Sequence, residues 1–352
     1  MNDVLDSPLR PRTLEQALTA GPRLLARAAT TGDIQFGASF VKGPAVLIGL
    51  HQRATRVLDL SAAKHASVRI LRRATSGTAA YIGGHALIFT LALPRVTSLF
   101  PDASPRTLLN RNVRPFLRGL TKAGGISHYF GRDWLSVKKR PALLLGFDAT
   151  PEGAVLIEAI AGWDHPFSLP EPLKASYEHR LDRYRTGPLS SEPAALSEVL
   201  PAARTPEEVA LSVASAISAQ AETPVALDTE VDVDGGAPPA GPLFGEMEAI
   251  EPVLGDASWI EPVRIPIGWL EMAWLPPAEG EGKRTLWLGG DVLCPRYGLD
   301  WLAARAVEWG ARQGTSEEGR DLIGLDAPLE GVSVRDLFGA AVGAVSGSPR
   351  TG

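Results

Sequence analysis

Five short apolar runs limit what this chain can fold into. They are Pro44–Leu50 ("PAVLIGL"), Ser67–Arg73 ("SVRILRR"), His85–Leu93 ("HALIFTLAL"), Ala142–Asp148 ("ALLLGFD") and Gly153–Gly162 ("GAVLIEAIAG"). Each is too short to cross a bilayer, and each is bounded by Gly, Pro or charged residues. That is the pattern of buried strands rather than membrane helices. "DWLSV" (133–137) supplies a further strand, joined to Ala142–Asp148 through the polar turn Lys138–Pro141.

Helical signals lie between and after these runs. Thr13 followed by Gln16 has capping-box spacing and opens a helix whose apolar face takes in Leu14, Leu18, Leu24, Leu25 and Ala28, with a bend expected near Gly21–Pro22. A second amphipathic helix is expected between Pro105 and Gly124. Leu109, Val113, Phe116, Leu117 and Leu120 share one face, and Arg111, Arg114, Arg118 and Lys122 share the other. A third, over 204–222, has Thr205 as N-cap, Pro206 at its first position and two glutamates in its first turn.

At 228–242 the composition shifts to "DTEVDVDGGAPPAGP", which reads as a solvated acidic stretch followed by a Gly/Pro-rich connection. Beyond it the pattern restarts. Residues 264–295 read as strand, turn, strand; 297–311 read as a helix with Leu299, Leu302, Ala306 and Trp309 on one face; 333–345 read as a last helix capped by Ser333. The expected organisation is a larger mixed α/β domain over 1–222, a linker over 223–242 and a small α+β domain over 243–352.

Composition excludes several classes. The net charge of -5 argues against nucleic acid as the partner. One cysteine, Cys294, excludes an intramolecular disulfide and a Cys-rich metal site; it is expected to be buried and inert. The N-terminal stretch lacks a signal-peptide core, and a cytoplasmic protein is expected.

In order along the chain these segments resemble lipoate–protein ligase A, within the biotin/lipoate protein ligase family. The stretch "PAVLIGLHQRATRVLDL" (44–60) is similar to a family strand ending in Gly-x-x-Gln. "RILRRATSGTAAY" resembles the family's Arg-Arg-x-x-Gly-Gly-Gly-Ala-Val-Tyr loop, with Arg72, Arg73, Gly77, Ala79 and Tyr81 coinciding. "GRDWLSV" resembles the Gly-Arg-Asn-Asp-Leu-x-Val strand through Gly131, Arg132, Leu135 and Val137, and the C-terminal third is similar to the family's accessory domain.

The resemblance implies a class II ligase-like mixed sheet of α/β (α+β) class. It implies ATP- and magnesium-dependent activation of a short acyl acid, lipoate or octanoate, followed by transfer to a lysine on a lipoyl-type carrier protein. It assigns acyl-adenylate binding to Arg72, Arg73, Ser76, Gly77, Thr78, Ala79 and Asp133, and carrier docking to Arg111, Arg114, Arg118 and Lys122. Small loop residues let backbone amides approach a phosphate, and arginine grips carboxylate or phosphate as a planar fork.

The pattern departs from the family where the chemistry sits. Ser76 and Thr78 flank the one remaining loop glycine. Ile82, Gly83, Gly84, His85 and Ala86 stand where the family has His-Asp-x-Gly-Asn, and Asp133–Trp134 replaces Asn-Asp. Anchored on Gly146, the lysine that stabilises the reacting acyl phosphate becomes Leu143; anchored on "WLSV", Lys139 is the candidate catalytic lysine. The rival reading is a catalytically silent pseudo-ligase that keeps the fold for contact with a protein partner. A pocket plugged by Trp134 or Leu143 would favour it. An ATP-independent acyltransferase would need a cysteine nucleophile, and Cys294 lies in the wrong domain.

Overall fold

The computed structural model describes residues 7–131, 133–176, 192–229, 254, 256–265, 268–277 and 285–311. Its strands are β1 (Leu9–Pro11), β2 (Ile34–Lys42), β3 (Ala45–Ile48), β4 (Arg69–Arg72), β5 (Ala80–Ile82), β6 (His85–Leu93), β7 (Ser127–Tyr129), β8 (Trp134–Val137), β9 (Arg140–Ala149), β10 (Val155–Gly162), β11 (Val225–Leu227), β12 (Ser258–Ile265), β13 (Gly268–Leu275) and β14 (Thr285–Gly290). The helices are α1 (Leu14–Thr31), α2 (Ala54–Val57), α3 (Leu60–His65), α4 (Leu108–Asn112), α5 (Arg114–Lys122), α6 (Leu196–Val199), α7 (Pro206–Ser218) and α8 (Arg296–Ala311).

The large sheet has eight strands in the order β1-β2-β6-β10-β9-β8-β7, with β11 also on β2. It is mixed: β1 and β11 run parallel to β2, and the rest of the sheet is antiparallel. One face buries Phe36, Phe89, Leu135, Leu143, Leu145 and Phe147 against α5 and α7. The other face is covered by α1 and by a small sheet of order β4-β3-β5; Leu14, Leu18, Leu47, Leu71, Trp134 and Ile160 form one cluster there. A third sheet, β12-β13-β14, is antiparallel and packs with α8.

The α1 capping box forms as its sequence indicates: the Gln16 amide donates to the Thr13 hydroxyl at 3.2 Å and the Thr13 amide to Gln16 Oε1 at 2.9 Å. The α1 helix runs through Pro22 without interruption. The helix expected from Pro105 to Gly124 is instead a 3-10 turn over Pro105–Thr107 followed by α4 and α5. Pro115 has no N–H to bond to the preceding turn, so the helix resets at Val113.

The start of the expected linker is not solvated. Val225–Leu227 forms β11, and Asp228 is 1% exposed, paired with Arg12 at 2.8 Å and with Arg23 at 3.0 Å. Two cations facing inward make the acidic alternation a buried-charge signal at this position. Within 264–295 the two expected strands are β13 and β14, and β12, which begins at Ser258 ahead of that stretch, pairs with β13 as a third strand. Residues 230–242, the helix at 333–345, Arg132 and the Trp309 side chain fall outside the described residues.

Candidate functional site

The loop 73–79 joins β4 to β5, and alternation along the strand sends its two arginines opposite ways. Arg72 turns to the segment after β3, where its Nη1 donates to the carbonyls of Gly49 at 2.8 Å, Leu50 at 2.9 Å and Gln52 at 2.9 Å. Arg73 enters the space between the two sheets and is fully buried. Its Nη2 donates to the Thr78 carbonyl at 2.7 Å, while among the described residues Nε and Nη1 have no hydrogen-bond partner. Burial lowers its pKa to about 10, against the pull of Glu158 and Asp133. Glycine at 146 makes room for it, since a Cβ there would lie 2.4 Å from Arg73 Nη1.

Glu158, in the middle of β10, accepts from the Thr75 hydroxyl, and burial raises its pKa against the opposing effects of Arg73 and Thr75. Asp133 accepts from the Thr78 hydroxyl at 2.6 Å. Arg73, Thr75, Thr78, Asp133 and Glu158 therefore form one buried polar cluster under the loop. Composition hid Glu158, which sits inside the apolar run Gly153–Gly162; a lone carboxylate in a buried strand was the signal available.

The outer side of the loop faces the C-terminal sheet. The Ser76 amide donates to the Phe147 carbonyl at 2.9 Å, and the Ser76 hydroxyl donates to the same oxygen at 2.6 Å. That hydroxyl also accepts from the Cys294 amide at 3.2 Å. The Gly77 amide donates to the Val292 carbonyl at 3.1 Å. Gly77 has φ of +99°, and a Cβ there would lie 3.0 Å from Leu293 Cδ2, so the residue is glycine for both conformation and space. Ala79 is 6% exposed beneath this cover.

The same cover continues over Gly49–Arg56. His51 Nε2 donates to the Cys294 carbonyl at 2.7 Å, and the Gly290 amide donates to the His51 carbonyl at 2.8 Å. Burial drives the His51 pKa down to about 4; its bond to Cys294 opposes the shift, and Arg296 and Arg72 add to it. The Gln52 side chain accepts from the Gly49 amide at 2.8 Å and donates to Asp291. Arg53 and Arg56 reach Glu271 at 3.5 Å and 3.7 Å, and Arg53 lies 3.7 Å over the Trp259 ring. Burial lifts Glu271 to about 7. Gln52, Arg56, Trp269, Glu271 and Asp291 line a cleft along this seam. Sequence reading missed His51, Asp291 and Glu271, whose partners lie more than two hundred residues away in the chain.

Lys139 is not in this cluster. Lys138 and Lys139 form the exposed two-residue turn between β8 and β9, with φ of 47° and 69°. Six strand residues, 140–145, separate Lys139 from Gly146, and the seven steps span about 23 Å of extended chain. The register anchored on Gly146 puts Leu143 in the lysine's place, and Leu143 is fully buried on the helix-covered face of the sheet. Trp134, also fully buried, fills the space between the large sheet and β3–β5 beside Leu47, Leu71 and Ile82. Cys294 is buried, and burial raises its thiol pKa far above the usual range.

The basic stripe is unevenly committed. Arg111 pairs with Asp102 at 2.9 Å, Arg114 lies 5.5 Å over the Phe100 ring and Arg118 donates to Gln220, whereas Lys122 is exposed at the end of α5. Among the described residues no group of three His, Cys, Asp or Glu side chains is placed to hold a metal ion, and no helix is long and apolar enough to cross a membrane.

No family model and no curated protein matches the chain. Solved structures do. P. falciparum LipL1, solved in complex with lipoate, aligns at 12% identity over 84% of this chain and 87% of its own, with a TM-score of 0.59. A bipartite lipoate protein ligase from Thermoplasma acidophilum, described with its E2 lipoyl domain, aligns at 15% identity over 62% of this chain and 85% of its own, with a TM-score of 0.47. A lipoate-protein ligase A bound with ATP aligns at 16% identity over 62% of this chain and 87% of its own, with a TM-score of 0.46. The mixed eight-stranded sheet, its two covered faces and the match to LipL1 along most of both chains agree: this chain has the lipoate/biotin protein ligase fold.

Proposed function

We propose that the chain is a pseudo-ligase, a ligase-fold protein that acts by binding a protein partner and does not form an acyl-adenylate. One observation carries this reading: the donors that a phosphate loop would offer are spent inside the chain. The amides of Ser76 and Gly77 and the Ser76 hydroxyl are bonded to Phe147 and Val292. Trp134 occupies the space between the sheets, and Leu143 offers no charge to a reacting acyl phosphate. The residues present do not fit an adenylate or its triphosphate precursor. ATP-dependent activation of lipoate or octanoate, with magnesium, is therefore the less supported reading.

Isothermal calorimetry with a non-hydrolysable lipoyl-AMP analogue tests the proposal. The expected result is no saturable heat. Micromolar or tighter binding that is lost in Arg73→Met would overturn it.

A further inference from the structure

We propose that the β7 edge of the large sheet is a docking surface for an acidic polypeptide that presents apolar side chains. This starts from the protein-binding reading and names the surface and the partner's chemistry. Among the described residues β7 is the last strand of the sheet, paired on one side with β8. Ile126, His128 and Phe130 follow one another at strand spacing and so share a face. Ile126 is 64% exposed and Phe130 48%, the two most exposed large apolar residues among those described, and the His128 ring sits 5.9 Å from that of Phe130. Two such side chains in one row make a patch rather than scattered exposure.

Lysines flank the edge strand that carries the patch. The Lys138 amide donates to the Ile126 carbonyl at 2.8 Å, so the exposed Lys138–Lys139 turn flanks Ile126 directly. Ser127, which alternation turns to the opposite face, touches Thr121 at 3.3 Å, so the end of α5 and the exposed Lys122 lie behind the same edge strand. Among the described residues the exposed lysines at this edge are Lys122, Lys138 and Lys139, while Arg118 donates to Gln220 and Arg140 pairs with Glu198 at 2.7 Å; the one acid in the sequence from Leu117 to Arg140 is Asp133. That acid is buried against Thr78, so it does not offset these lysines. The chain as a whole carries -5. A local positive field on a negative protein favours an acidic partner, steers its approach and opposes pairing of two copies through this edge. The exposed Ile126 and Phe130 would anchor the contact at its centre, as buried apolar groups do within a charged rim.

Fluorescence anisotropy with the full chain tests the proposal. The probes are a labelled short peptide rich in Glu and Asp with leucines at alternate positions, its counterpart with Lys in place of each acid, and a labelled oligothymidylate. The acidic peptide is expected to bind at least about tenfold more tightly than the basic one at low salt, with affinity falling as salt rises. Phe130→Ser is expected to weaken it by about tenfold or more, and Lys138→Asn with Lys139→Gly likewise. Asn-Gly suits a two-residue turn with positive φ, so loss of binding in that variant does not reflect loss of fold. Equal binding of the two peptides, unchanged affinity in both variants, or tighter binding of the oligothymidylate would overturn the proposal. So would a wild-type dimer in sedimentation that Phe130→Ser disperses. None of these readouts involves the lipoyl-AMP titration, so either proposal can fail without the other.

Discussion

The amide of Gly77 donates to the carbonyl of Val292 at 3.1 Å, and this bond joins the glycine loop between β4 and β5 to the segment that follows β14. Around it, Ser76, His51 and Gln52 are engaged by Cys294, Gly290 and Asp291. The loop is the floor of an interface inside the chain.

The strength of that interface is measurable at Asp291. Its carboxylate accepts from the Gln52 side chain and from the Trp269 amide, the latter at 2.9 Å. Asp291→Ala leaves both donors buried without that acceptor and is expected to cost about 1–3 kcal/mol. Urea denaturation gives the number, and faster proteolysis near Gly49–Arg56 would locate the loosening. Unchanged stability would mean that the Asp291 carboxylate does not hold the seam together.

Arg73 and Glu158 behave as a buried charge pair at a distance. Replacing either alone strands the other in an apolar space, so Arg73→Met and Glu158→Met are each expected to destabilise by about 3–5 kcal/mol. The double replacement is expected to cost less than the sum of the two. A double-mutant cycle by chemical denaturation checks this, and strict additivity would show that the two charges are independent.

Stability should respond to pH with a defined sign at Glu271. Its folded pKa, about 7, lies above the ordinary 4.5, so its contribution is complete below about 4.5 and lost as pH rises through 7. Asp148, raised to about 6 by burial, acts in the same direction. His51 opposes them: its folded pKa of about 4 lies below 6.5, so its contribution holds above 6.5 and fades as pH falls towards 4. Glu271→Gln should flatten the 4.5–7 window and leave the variant more stable than wild type at pH 8 by about 2–3 kcal/mol. Thermal melts across pH would check this; a wild-type-like profile in the variant would rule Glu271 out as the source.

Lys138→Asn with Lys139→Gly is expected to raise stability by about 1 kcal/mol. Both lysines hold positive φ, which costs a side chain with Cβ and suits Asn-Gly. A higher melting temperature is the readout.

Cys294 should be inert to thiol reagents in the folded protein and react fully in guanidinium, because burial disfavours its thiolate. Rapid native labelling with a maleimide would contradict a closed seam between the loop and the C-terminal sheet.

Local features of the fold were legible from sequence because their causes are local. The α1 cap needed only Thr13 and Gln16, and the β8–β9 hairpin only two apolar runs and a polar turn. The strand Ile34–Lys42 escaped because Gly37 and Ser39 interrupt its apolar character, although it is the strand that meets β1, β11 and β6. In the site, the sequence marked the loop but not its cover. Nothing near Gly77 in the chain announces Val292, and nothing near Gln52 announces Asp291. Trp134 was visible as a large ring in a polar position; that it would fill the space between two sheets depends on β3–β5 arriving above it.

The Arg12–Asp228 pair also has a consequence for the order in which the chain can fold. Its two ends are 216 residues apart, and the carboxylate is shared with Arg23. As the polypeptide is made from its N-terminus, β1 and α1 emerge with both guanidinium groups lacking this counter-charge. The edge of the large sheet cannot close until residues 225–228 follow. Helices α1 and α7 can form locally in the meantime, but the sheet edge is locked by one of the last described parts of this region to be synthesised.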